Sequence, residues 1–128
     1  MLSRKLSVLA LTSAILLGTS CSSDVSLLSV QIYPADPNLA HNTSFYIAPG
    51  GTIQFQIQGW YSNRTTQTIA ASSGKWSSTN TSIAAVDANG FVTSAGPEGV
   101  TTVVVSAKGH TSTVIVGVCD PSVVVCPP

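Results

Sequence analysis

The stretch GTIQFQIQGW, residues 51–60, constrains the fold most. Ile53, Phe55 and Ile57 alternate strictly with Gln54, Gln56 and Gln58, the two-residue period of a strand with one dry and one wet face. A one-residue slip in its pairing would bury three glutamines, so its register is strongly specified. Other segments repeat the pattern. LLSVQIY (27–33) sets Leu28, Val30 and Ile32 against Ser29, Gln31 and Tyr33, and TSTVIVGV (111–118) puts Val114, Val116 and Val118 in phase. Shorter strands are expected within 66–70 and at KWSS (75–78), SIAAVD (82–87), GFVTS (90–94) and GVTTVVVSAKG (99–109). Proline in PADPN (34–38) ends the first strand, because it cannot donate to a ladder. KGHT (108–111) reads as a hairpin around Gly109. About seven short β-branched strands, with turn signals every ten residues or so, predict an all-β antiparallel β-sandwich over 27–118.

The first twenty residues stand apart. Arg4 and Lys5 precede the apolar run LSVLALTSAILLG, followed by small residues up to Cys21. That order is the signature of a secretory signal peptide, and the run is short of the roughly 20 apolar residues a membrane span needs. LLGTSC (16–21) resembles the lipobox of bacterial lipoproteins. Thr19 and Ser20 fit; Gly18 holds the place where that family prefers leucine, with Leu17 one step further out. The resemblance implies signal removal after residue 20, acylation of Cys21 (palmitate among the chains) and a short polar tether over 21–26. Ser22 lacks the aspartate that marks retention in the inner membrane, so the resemblance implies anchoring in the outer membrane. The alternative is an ordinary secreted protein.

Without the signal, Arg64, Lys75 and Lys108 face Asp24, Asp36, Asp87, Glu98 and Asp120. Such a surface has no basic patch to neutralise phosphates, which excludes nucleic acid as a partner class. Once Cys21 is given to lipid, Cys119 and Cys126 form an even pair in an oxidising compartment, and a disulfide between them is expected in the tail 119–128. The loop is short, and closing it contributes about 2.5 kcal/mol on the chain-entropy view. Six intervening residues and no adjacent histidine do not fit a zinc pair.

In KWSSTNTSIAAVDANGFVTS (75–94), Trp76 is placed to fill the space between two sheets from a central strand. SSTNTS reads as a solvated crossover, and Asp87-Ala88-Asn89-Gly90 as a hairpin turn. This stretch, with EGVTTVVVSAKG after it, closely resembles the signature of the bacterial immunoglobulin-like domain, group 2. The resemblance covers about 27–118, is strongest over 76–107, and implies an immunoglobulin-like sandwich with no catalytic residues. DPNLAHNTSFYIAPGG (36–51) is longer than that family's usual link between its first two strands.

No enzyme constellation emerges. His41 and His110 fall in expected loops without a sequence-near carboxylate or cysteine. There is no nucleophile elbow, close carboxylate pair or phosphate-binding glycine loop. DANG lacks the further acidic ligands of a calcium loop. The Asn-x-Ser/Thr triplets at Asn42, Asn63 and Asn80 read as loop residues. No cofactor or metal is expected.

Trp60 and Tyr61, with Tyr46 in the preceding long loop, are the residues suited to recognition, since aromatic side chains are enriched in binding patches. The competing structural reading has Trp60 capping the edge of the core. The sequence therefore implies a monomeric, non-catalytic envelope lipoprotein. Its single sandwich serves as a binding, adhesion or spacer module, meeting the membrane through its lipid and an envelope protein or glycan through the domain. The alternative is a secreted or surface carbohydrate-binding module using Trp60 and Tyr61.

Overall fold

The computed structural model describes residues 24–120 and 122; the expected signal peptide, Cys21 and Cys126 lie outside them. Nine strands and one 3-10 turn, Ala71–Ser73, make up the described residues. The strands are β1 (Leu27–Pro34), β2 (Ser44–Ile47), β3 (Thr52–Tyr61), β4 (Thr66–Ile69), β5 (Lys75–Ser78), β6 (Ala84–Val86), β7 (Phe91–Ser94), β8 (Gly99–Ala107) and β9 (His110–Val118). They form two facing sheets. The first has the order β1-β3-β7-β6 with β4 also on β3, and the second the order β2-β9-β8-β5. β3 organises the first sheet. One of its edges holds all of β1, while the other is divided between β4, along Ile57–Trp60, and β7, along Thr52–Gln54.

The alternation read in β3 and β9 decides what lies between the sheets. Phe55, Ile57, Val114, Val116 and Val118 are buried together with Val92, Val103 and Val105 from β7 and β8. Phe45 of β2 adds an edge-on contact to Phe55, with centroids 5.3 Å apart and an interplanar angle of 67°, a favoured aromatic arrangement.

Three sequence expectations change. In β1, Val30 and Ile32 are buried as expected, but Leu28 is 59% exposed and Leu27 packs on the core instead. The register against β3 shifts between Leu27 and Ser29, and an extra residue reverses the phase of every side chain beyond it. The long link 36–51 contains β2, which pairs in parallel with β9, so the chain leaves the first sheet after β1 and closes an edge of the second. Trp76 does not come from a central strand: β5 is an edge strand paired to β8 alone. The ring is half-buried at the rim, where its Nε1 donates to the Ala71 carbonyl at 2.7 Å. An indole N–H needs a polar partner, and at the rim the Ala71 carbonyl supplies it.

The crossover SSTNTS is exposed as read, with Ser78 alone half-buried. The buried Thr101 Oγ1 accepts the Asn80 N–H at 2.9 Å and lies 2.8 Å from Ser78 Oγ, while Thr79 N–H donates to the Thr102 carbonyl at 2.9 Å. Its backbone is therefore tied to β8 while most of its side chains meet water.

Both hairpins form as read. Lys108 and Gly109 carry φ of 49° and 81° between paired Ala107 and His110, a two-residue turn with both central residues left-handed. His110 thus opens β9 instead of lying in a loop. In the β6–β7 turn, Asp87 Oδ1 accepts the N–H groups of Asn89 and Phe91 at 2.8 and 3.0 Å, and Gly90 supplies φ of 76°. Asn63 and Asn80 act similarly, their side-chain oxygens accepting the N–H groups of Thr65 and Ser82 at 3.1 and 3.2 Å. Beyond β9, both the O–H and the N–H of Ser122 donate to Asp120, holding that carboxyl below its usual range.

Candidate functional site

The polar phase of β3 forms the outer face of the first sheet. Register places Gln58 between Gln31 of β1 and Thr68 of β4, and Trp60 between Ser29 and Thr66. Gln56 faces Tyr33 of β1, and Gln54 faces Phe91 of β7. Trp60 is 43% exposed, and its Nε1 donates to Gln31 Oε1 at 3.1 Å, which fixes the ring over the sheet. The Tyr33 hydroxyl lies 2.9 Å from Thr68 Oγ1 and 3.4 Å from Gln56 Oε1, so it reaches across β3. Gln54 is held differently, its amide nitrogen donating to the carbonyls of Phe55 and Asn89. Among the described residues the side chain of Gln58 makes no hydrogen bond.

No strand of this sheet carries Asp, Glu, Lys or Arg. The charged or titratable residues in its connections are Asp36 after β1, Arg64 in the β3–β4 turn, Asp87 in the β6–β7 turn and His41, whose ring meets that of Tyr33 at 5.5 Å between centroids. His41, Tyr33, Gln31, Gln58 and Thr113 line a cleft of about 150 Å³ where β1 approaches β9.

The three aromatic residues singled out in the sequence are not brought together. Trp60 and Tyr61 are adjacent on one strand and face opposite ways. Tyr61 lies over the inner end of the sheet, where a Cβ on Gly59 would come within 3.1 Å of its ring. Tyr46 is on the other sheet, its ring pressed so closely on Gly117 that a Cβ there would be 2.4 Å from it. Trp60's neighbours are instead Ser29, Thr66 and Gln31, with Gln58, then Gln56 and Tyr33, further along the same face. The signal was present in LLSVQIY, whose polar phase carries Gln31 and Tyr33; which strand it pairs with was not.

His110 and His41 lie on different elements, and no group of three or more His, Cys, Asp or Glu able to hold a metal occurs among the described residues. With two facing sheets, a chain that passes from β1 in the first to β2 at the edge of the second, and β5 paired to β8, sequence comparison decides the family. The bacterial Ig-like domain (group 2) matches residues 29–117. The chain belongs to that family. None of the curated proteins compared with it matches.

Among solved structures, this Ig-like domain is similar to the S-layer protein rSbsC(31-844), at 16% identity and a TM-score of 0.54 over 75% of the chain. Domains 1–6 of the surface layer protein SbsC match at 18% identity and 0.53, again over 75%. An intimin mutant from EHEC O157:H7 matches at 20% identity over 73% of the chain, with a TM-score of 0.45. The chain spans 45% of the intimin chain and 15% of each S-layer chain. The two S-layer likenesses bear on the fold alone.

Proposed function

We propose that the chain is a lipid-anchored cell-envelope protein whose Ig-like domain is a non-catalytic binding, adhesion or spacer module, tethered through Cys21 and carried in the outer membrane. The observation that supports this reading is the start of β1 at Leu27, six residues after the cysteine of the lipobox-like LLGTSC. A tether of that length reaches at most about 20 Å when extended, so the sandwich would be held close to the surface with its loops and outer faces free to meet a partner. Several acyl chains on one cysteine anchor stably where a single chain does not. The disulfide from Cys119, buried at the end of β9, to Cys126 belongs to the same reading, because it presupposes export.

Intact mass of the membrane-extracted protein, before and after reduction, tests it. The expected chain begins at Cys21, carries acyl groups and gains two hydrogens on reduction. A chain released to the medium without acyl groups would overturn the anchor, and an unchanged mass on reduction would overturn the disulfide.

A further inference from the structure

We infer that the outer face of the first sheet binds a neutral polysaccharide laid along β3 from Trp60 towards Phe91, an inference that rests on the binding-module reading and names its partner class. A lone exposed indole would need no explanation. Here the ring stands at one end of a row of glutamine amides and is fixed in place by Gln31. A second exposed ring, Phe91, lies beside Gln54 at the other end. Six residues of strand separate Trp60 from Gln54, roughly 20 Å, and the amides of Gln58 and Gln56 fill the interval. Tyr33 lies halfway along, opposite Gln56. The arrangement suits an extended ligand, not a compact one.

The chemistry of the face selects the class. An apolar protein surface pressed on it would cover Trp60 but strand the amides of Gln31, Gln56 and Gln58, and each buried polar group left unpaired costs more than its hydrogen bond would return. Nucleic acid and acidic glycans need several cations, and the strands of this sheet carry none, with Arg64 in the β3–β4 turn a single cation at its end. A neutral glycan meets both requirements. Its hydroxyls donate to and accept from the amides, and the C–H face of a sugar ring covers the indole. The unpartnered amide of Gln58, between Trp60 and Tyr33, is the group placed to hold the first sugar.

The test is retention of the detergent-extracted full chain on immobilised neutral polysaccharides: β-glucan, mannan, xylan and galactan. Retention on at least one is expected, insensitive to added salt because no charge takes part. Trp60→Ala should weaken it about tenfold or more, the usual scale for an aromatic anchor. Gln58→Ala, which leaves the ring in place, should weaken it too, while Tyr46→Ala on the other sheet should leave it unchanged. Retention on none of the four, or retention untouched by Trp60→Ala with the fold intact by circular dichroism, overturns the inference. So does a loss caused by Tyr46→Ala alone. A chain acylated at Cys21 but retained by no glycan leaves the envelope reading standing and removes this one. A retained chain without acyl groups does the reverse.

Discussion

Two buried hydroxyls in this domain have opposite consequences. Thr101 is 2% exposed, and its Oγ1 is where the crossover from β5 to β6 is tied down. Thr101→Val keeps the shape but leaves the Asn80 N–H without its acceptor. We expect a loss of about 1–3 kcal/mol, read as a lower urea midpoint at unchanged slope. Ser94 is 7% exposed, and its Oγ has no partner among the described residues. Ser94→Ala removes a desolvated hydroxyl that forms no bond, so stability should hold or rise by about 1 kcal/mol in the same assay. A loss at Ser94 as large as that at Thr101 would show that its hydroxyl does find a partner. The same accounting explains why SSTN is polar where the chain leaves β5: its hydroxyls and backbone bind Thr101 and Thr102 of β8.

Among the elements, the two hairpin glycines separate backbone strain from crowding. Gly109 has φ of 81° and open space within 4 Å of where a Cβ would stand, whereas at Gly90, φ 76°, a Cβ would meet the Trp76 ring at 2.7 Å and the Phe55 carbonyl at 2.9 Å. Gly109→Ala should cost about 1–2 kcal/mol for the left-handed backbone alone. Gly90→Ala adds overpacking and should cost about 2–5 kcal/mol, with a change in Trp76 fluorescence that Gly109→Ala does not produce. Equal costs would mean that the rim around Trp76 yields freely. These turns were legible because each depends on a few consecutive residues, and the strict alternation of Ile53, Phe55 and Ile57 made β3 legible for the same reason. What escaped depends on partners distant in sequence. The bulge that displaces Leu28 shows only in the pairing of β1 with β3. β2 is four residues long, flanked by Asn42 and Pro49, and is a strand because β9 offers it an edge. Half of the recognition face was equally hidden, since cross-strand register alone sets Tyr33 and Gln31 beside the glutamines of β3.

For the whole molecule, beside the local hairpins, much of the pairing joins residues far apart in the chain: β1 waits for β3, β3 for β7, and β2 for the last strand. Loops must close before such contacts form, so refolding should occupy milliseconds to seconds as one phase. Stopped-flow fluorescence checks this, with Trp60→Phe assigning the signal to Trp76; a microsecond phase carrying the full amplitude would contradict it. The parallel pair β2–β9 has a consequence for how the domain bears load. Its rungs run from the Thr43 carbonyl, which accepts from Ile115, to the Ile47 carbonyl, which accepts from Cys119. Tension applied upstream of β2 and downstream of β9 drags these two strands past each other along their length. An antiparallel hairpin pulled from its open end parts one rung at a time, but a sheared parallel pair strains all its rungs together. Under traction the sandwich would hold until that short ladder gave way as a unit, making β2, the strand hidden in a long polar link, its mechanical latch.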